Sequence, residues 1–298
     1  MAEIGSCPIS VQGIGIKGCL SGNPLKMPHK VVLAVPGFSF DTYSDFIDED
    51  VVNAAIAAKN LFPLETIVDI EDTSSEDTEV ESGNKQKHTT QFGKRGFTAY
   101  MNCTLKQNEY LKDFGGIGWT IYIVGIDGSW EGQTPDGITV AGHTTSRVDF
   151  PGMMRSWDTA QISRTPIKIE FDDNDEMDKK IVLAKAADLD WYPKKITPLT
   201  LVLITNATFD TNELTGTFNV VNDRSAVVES SPIISVATSN ISVTDQAGDP
   251  VVPSDATSTI PGIWLFTATA NGMTAGTIEL IPSADSLVYS EVTNMVSA

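Results

Sequence analysis

Cysteine, histidine and positive charge are all scarce in this chain. Three cysteines and three histidines occur in 298 residues. His29, His88 and His143 are too few and too scattered for a zinc cluster, which needs several thiolates or imidazoles at close spacing. Cys7 and Cys19 can pair across a glycine-rich loop, but an odd total fits free thiols in a reducing cytoplasm better. Lys and Arg total 20 against 39 Asp and Glu, a formal net charge of −19. The basic residues are thinly spread, and only Arg224 follows Lys195, so no positive face is evident to hold a phosphate backbone. No run of about 18 apolar residues occurs. The opening "MAEIGSCPISVQGIGIKGCL" lacks a charged stretch followed by an apolar one. A soluble product made in a cytoplasm, without membrane insertion, is therefore expected.

Catalytic and cofactor motifs are missing as well. No G-x-S-x-G surrounds any serine, so a Ser-His-Asp arrangement has no support. Gly13, Gly15 and Gly18 match G-x-G-x-x-G, but a dinucleotide site needs a helix directly after it. Gly22, Pro24 and Pro28 preclude that helix. The acidic turn "DDNDEMD", Asp172 to Asp178, lacks the central glycine and terminal glutamate of a calcium loop. Acidic residues are numerous, yet nothing selects one pair for glycosidase work. Neither an enzyme, a metal nor a cofactor is expected.

Period-two alternation is what the sequence has in abundance. "KVVLAVPGF" (30–38), "PLETIVDI" (63–70), "GFTAYMNCTL" (96–105), "WTIYIVGI" (119–126), "GITVAGHTTSRVDF" (137–150) and "PIKIEF" (166–171) all read as strands. In the longest, Ile138, Val140, Val148 and Phe150 fall on one face, with Thr139, His143, Thr145 and Arg147 on the other. The spacing puts the first set in a core and the second in water. Cys103 shares a face with Phe97, Ala99, Met101 and Leu105, which makes it a core residue rather than a nucleophile. Two segments read as helical: 48–60, capped by Asp48, and the middle of 174–192. Trp119 and Trp264 lie within strand runs and are expected in the core. Trp130 and Trp157 lie near turns and are candidates for exposed rings, which a subunit contact or a glycan would use equally well.

The composition changes after Pro198. Residues 199–298 hold ten acidic side chains and no lysine, with short strand-like runs separated by turn residues. The expected fold class is mainly β. A β-barrel or sandwich domain with one or two helices spans 1–198, including an N-terminal arm, and an immunoglobulin-like β-sandwich spans 199–298.

Between two of the strands lies "EDTSSEDTEVESGNKQKHTTQ", residues 71–91, with Val80 as its one aliphatic residue. Six carboxylates in its first half give way to two lysines and a histidine. Segments this polar cannot bury enough surface to offset the entropy of ordering. A turn at Ser82, Gly83 and Asn84 folds it into a hairpin with Glu81 opposite Lys85 and Glu79 opposite Lys87.

The strand pair "ETIVDI" and "GFTAYMNCTL" with residues 71–95 between them, the strand "GWTIYIVGIDG" and the run "RTPIKIEFDD" resemble the tail tube proteins of tailed bacteriophages. The resemblance covers roughly residues 25–195. It implies a virion structural protein whose rings, commonly hexameric, stack into a conduit. DNA would pass through transiently without specific binding, and other phage tail proteins would be partners. Since an isolated charged hairpin is marginal in water, the excursion is expected to become ordered by docking on a neighbouring subunit or ring, which makes Glu76, Asp77, Glu79, Glu81, Lys85, Lys87, His88, Lys94 and Arg95 the candidate self-association residues; the alternative is a solvated loop. The C-terminal part is similar to the immunoglobulin-like decorations that some tail tubes carry. The glycine-rich lead-in before Pro28 has no counterpart in that pattern. Two alternatives stay open: another virion component, such as a neck ring or head decoration protein, and a glycan-binding, adhesin-like module.

Overall fold

The computed structural model describes residues 27–297 apart from 77, 82–86, 92, 104, 116–117, 155–162, 174–179, 211–212, 221–230, 233–239, 254, 261–262, 268–274, 284–286 and 291–292. The glycine motif at residues 13–18, Cys7, Cys19, Trp157 and the side chain of Trp264 lie outside the described residues. The fold is mainly β, with large antiparallel sheets and few helices. Two compact units divide the chain. One comprises the residues up to Val52 with Asn60–Ile196, and the other comprises Asn53–Lys59 with Thr197–Ala298.

In the first unit β1 (Pro28–Ala34) is followed by a short β2 (Ser39–Phe40) and two helices, α1 (Tyr43–Ile47) and α2 (Glu49–Ala57). Thr42 caps α1: its hydroxyl accepts from the Asp45 amide at 3.2 Å, and the Asp45 carboxylate accepts from the Thr42 amide at 3.0 Å. This reciprocal box satisfies donors that a helix start leaves orphaned. α2 ends where Lys59 turns left-handed at φ 60°.

The strands continue as β3 (Leu61–Pro63), β4 (Ile67–Asp72), β5 (Thr78–Glu81), β6 (Lys87–Gln91) and β7 (Gly96–Met101). Helix α3 (Leu105–Asp113) precedes β8 (Thr120–Gly125), β9 (Trp130–Gln133), β10 (Val140–Ala141), β11 (His143–Asp149), β12 (Thr165–Phe171) and β13 (Ile181–Ala184). β1 pairs with β8 on one edge and β3 on the other. The chain runs from β3 towards β4, with the Leu64 amide still donating to Val31 O at 2.9 Å. β4 then pairs with β7, and β7 with β12, β12 with β11, and β11 with β8. The succession of antiparallel pairs thus returns to β1. Its enclosed face carries one apolar cluster, including Val31, Leu33, Phe97, Ala99, Met101, Trp119, Ile121, Ile123, Val148, Ile167, Ile169 and Phe171. Period-two alternation delivers these residues to one side.

The opposite face of β8 and β9 is also covered, by rings. Trp130 stacks on Tyr122 at 5.2 Å and on Phe46 at 5.4 Å between centroids, and Trp191 meets it edge-on at 6.4 Å. Trp130 Nε1 donates to Phe46 O at 3.1 Å and Trp191 Nε1 to Ile47 O at 2.7 Å, which ties the end of α1 to the sheet. Gly132 permits this packing, since a Cβ there would stand 2.7 Å from Ala141 O and 3.0 Å from the Tyr122 ring.

Three expectations are corrected here. The helix expected in 174–192 is strand β13, paired with β9 through Val182↔Gly132 and Ala184↔Trp130. Its run "IVLA" alternates between partly buried and buried, so the β-branched residues pack as a strand. The strand expected to reach Leu105 stops at Met101, and Leu105 begins α3, where "KQNEYLKD" is rich in helix formers. The single strand expected over 137–150 is broken at Gly142 into β10 and β11, which pair with different neighbours.

The second unit contains β14 (Thr200–Asp210), β15 (Glu213–Val220), β16 (Ser231–Pro232), β17 (Ile241–Asp245), β18 (Pro250–Val251), β19 (Asp255–Ile260), β20 (Ile263–Thr267), β21 (Gly276–Leu280), β22 (Val288–Ser290) and β23 (Thr293–Ser297). One succession runs β14-β15-β20-β19 and another β18-β17-β21-β23, and β14 joins β23 in parallel. Ile204, Phe209, Val243, Ile278, Leu280 and Met295 are among its buried residues. Asn240 is fully buried, and its Nδ2 donates to Ile281 O and Ser283 Oγ, both at 2.9 Å.

Candidate functional site

The charged excursion is a two-stranded ribbon that continues the β4–β7 ladder. After the pair Asp72↔Phe97, the Thr73 amide donates to Gly96 O at 3.0 Å and the Ser75 amide to Lys94 O at 2.9 Å. Serines mend the ladder where it turns irregular. Ser74 Oγ accepts from the Gly96 amide at 3.2 Å, and Ser75 Oγ accepts from the Lys94 amide at 2.7 Å. Gly96 is required, because a Cβ there would lie 2.6 Å from Ile169 O. Further out, β5 and β6 pair with each other and with no other described strand, as a two-stranded sheet.

Their register differs from the sequence expectation. Glu81 stands opposite Lys87, Val80 opposite His88, Glu79 opposite Thr89 and Thr78 opposite Gln91. Glu79 therefore does not face Lys87. Residues 82–86 connect the strands, so Ser82, Gly83, Asn84 and Lys85 lie outside the described residues, with Asp77. A five-residue connection replaces the three-residue turn and moves the pairing by two positions, which keeps each residue on the same face. One oppositely charged pair remains directly across the ribbon instead of two, with a bulge between Thr78 and Glu79.

Glu71, Asp72 and Glu76 on the outgoing arm are exposed, as are Lys94 and Arg95 on the returning arm. The Ser74 hydroxyl, with the Ser74 amide, holds the Asp72 carboxyl below its usual range. Lys94 Nζ donates to Ser146 Oγ at 3.3 Å, and Arg95 O accepts from the Phe171 amide at 2.9 Å, so the returning arm is anchored to β11 and β12 at its base.

Below the ribbon, the outer face of β4-β7-β12-β11 carries both signs of charge. Arg164 pairs with Asp69 at 2.8 Å, Tyr100 OH donates to Glu71 at 3.1 Å, and Arg147 bridges Asp149 and Glu170. Exposed pairs like these add little to stability, because water and salt screen them. They match the acidic residues locally, leaving this face mixed rather than uniformly acidic.

A second polar cluster is shut inside the sheet. His143 Nε2 lies 3.1 Å from Glu131 Oε1, and both side chains are essentially inaccessible. Gln133 Nε2 donates to Gly142 O at 3.4 Å, while Glu131 Oε2, His143 Nδ1 and Gln133 Oε1 have no hydrogen-bond partner among the described residues. Sequence alternation placed His143 in water. It is buried because it stands opposite Ile121 of the enclosed cluster, and the bulge between Thr145 and Arg147 shifts the pairing before Val148 turns inwards as well. Ile138, expected in the core, precedes β10 and is 64% exposed instead. Gly142 is pressed against β8, where a Cβ would lie 2.8 Å from Ile121 N. No solvent reaches the pair, so it acts on packing rather than on a substrate. Among the described residues no group of three or more His, Cys, Asp or Glu is placed to hold a metal. In the acidic turn, Asp173 lies 3.7 Å from Lys180 Nζ, and residues 174–179 are outside the described residues.

Two further groups have altered chemistry. Burial pushes the Cys103 thiol up to about 11, and the residue packs against the enclosed cluster. Desolvation lowers the Lys30 ammonium, whose Nζ donates to Ile196 O at 2.7 Å. Trp130 is 0% exposed, which removes it from the rings expected at the surface. It was missed because flanking turn residues say nothing of what packs over a short strand.

No family model matches the chain. No curated protein matches it either. No helix among the described residues is long and apolar enough to cross a membrane.

Proposed function

We propose that the chain is a virion structural subunit that self-assembles into stacked rings, forming the tail tube of a tailed bacteriophage. The observation that carries this reading is the ribbon of β5 and β6, drawn out of adjacent strands β4 and β7. It pairs with no other described strand and has one aliphatic residue, Val80, in residues 71–91. A compact monomer gains little from such an extension, whereas a neighbouring subunit offers it backbone partners and charge.

Other features agree with the reading. The circuit of β1, β8, β11, β12, β7 and β3/β4 suits a barrel with a filled interior. The second unit, with its first strand beside its last, suits an immunoglobulin-like decoration. With a net charge of −19, a tube of these subunits would repel passing DNA rather than hold it. On this reading the chain needs no catalysis and no cofactor, and the rings are commonly six-membered. The adhesin-like alternative loses Trp130 as a glycan platform.

Negative-stain microscopy and light scattering of the purified protein at rising concentration test this. Rings or tubes are expected. A strict monomer at every concentration and salt level overturns the reading.

A further inference from the structure

The ribbon has one acidic edge and one basic edge. Glu79 and Glu81 lie on β5, continued towards the body by exposed Glu76, Asp72 and Glu71. Lys87 and His88 lie on β6, continued by exposed Lys94 and Arg95. Each strand pairs on one side only, with the other. Each therefore presents an outer edge of backbone donors and acceptors without a strand partner among the described residues, the feature that templates pairing with another chain.

Charge decides which pairings are open. A two-fold arrangement would set β5 against β5 or β6 against β6 and bring like charges opposite one another, which destabilises a strand pair. Setting β5 of one copy against β6 of the next brings opposite charges together. Because β5 and β6 are antiparallel, ribbons placed side by side and pointing the same way continue one antiparallel sheet. Such a contact is heterologous, so repeating it closes a ring if the rotation permits.

We infer that the ribbon is the polar ring-forming contact of this protein, with the acidic β5 edge of one copy pairing with the basic β6 edge of the next. This rests on the structural-subunit reading and adds to it the partner, a second copy, and the polarity of the joint. The ribbons form a continuous charged sheet around the ring axis. Each contact is weakened by salt, since exposed charges are screened within about 10 Å at 0.1 M.

The test is a charge-swapped chain, E76K/E79K/E81K/K87E/H88E/K94E, in which β5 and β6 exchange sign, positions 81 and 87 still oppose unlike charges, and Glu71, Asp72, Asp77 and Arg95 are left unchanged. Circular dichroism and melting confirm that it folds. The swapped chain is expected to assemble with itself as wild type does. A tagged wild-type chain captures untagged wild type, and it is expected to capture the swapped chain roughly tenfold less, since the charges facing each other across each joint become like. Free mixing of the two overturns the inference, as does a folded swapped chain that stays monomeric. Should the swapped chain fail to melt cooperatively, E79K/E81K and K87E/H88E take its place. Each alone is expected to assemble poorly, and a mixture of the two to assemble. A mixture that stays apart overturns the edge pairing. Wild-type assembly with either of these negative results leaves the subunit reading standing, whereas a wild-type monomer removes both.

Discussion

Burying His143 against Glu131 makes each residue depend on the other. Removing the imidazole alone leaves Glu131 Oε1 without its partner in a site closed to water, at a cost of about 1–3 kcal/mol. His143→Leu is therefore expected to lower the denaturation midpoint sharply. The pair of changes His143→Leu with Glu131→Leu is expected to recover most of that loss, because replacing both partners of a buried hydrogen bond by apolar groups of similar shape can be nearly neutral. Urea melts of the single and double variants measure this. A double variant no better than the single would mean the pair is replaceable only in kind. Cys103 offers a pH test. Its thiol titrates at about 11 because burial disfavours the thiolate. In a Cys7→Ser, Cys19→Ser background, the folded protein is expected to react slowly with alkylating reagent at pH 8 and faster as pH rises towards 11. In denaturant, where the thiol returns to about 8.5, it should already react at pH 8. Rapid reaction of the folded protein at pH 8 would contradict the packed position.

At the scale of elements, the ribbon separates cleanly from what supports it. β4 and β7 hold their place through Ile67, Phe97, Ala99 and Met101 in the enclosed cluster, whereas β5 and β6 pair only with each other. An isolated two-stranded hairpin is marginal in water. Replacing residues 72–94 by a short Gly/Ser linker is therefore expected to leave the melting temperature within a few degrees while abolishing tubes. Sedimentation and microscopy would then show subunits or single rings. Normal tubes from the shortened chain would remove the ribbon from assembly. That a hairpin lay here was legible from residues 71–91, because a polar sign change around Ser-Gly-Asn has few other compact solutions. Its register was not, since a three- and a five-residue connection both keep the same faces. β13 was misread as a helix for a related reason. Four apolar residues in a row suit either element, and the edge of β9 that accepts them is not visible in the local sequence.

For the whole molecule, the main-chain division between the units falls at Ile196 and Thr197. Just before it, Lys30 Nζ grips Ile196 O at 2.7 Å and Lys194 O at 3.4 Å from strand β1. A chain truncated after Pro198 keeps that anchor. It is expected to melt as one cooperative transition and to assemble as the full chain does, judged by calorimetry and microscopy. An insoluble product would show that residues 199–298 are needed for the first unit to fold.

The sequence alone was enough for the mainly β class, for most strands of the first unit and for a composition break near Pro198. Alternation of apolar and polar residues is a local signal that each strand carries whatever its neighbours. It was also enough for Trp119, which follows that alternation inwards, while Cys103 lies past the end of β7 and packs, partly buried, against the same cluster. Tertiary structure alone decided the fate of His143, Trp130 and Ile138. Burial at His143 and Trp130 depends on which strands and rings arrive alongside, and Ile138 falls before the strand it was counted on begins. The aromatic layer of Phe46, Tyr122, Trp130 and Trp191 draws on residues far apart in the chain, and no local pattern encodes their meeting. The charges of the ribbon were plain in the sequence. Only strand pairing sorted them into an acidic edge and a basic one, because an edge exists only once a strand has a partner on its other side.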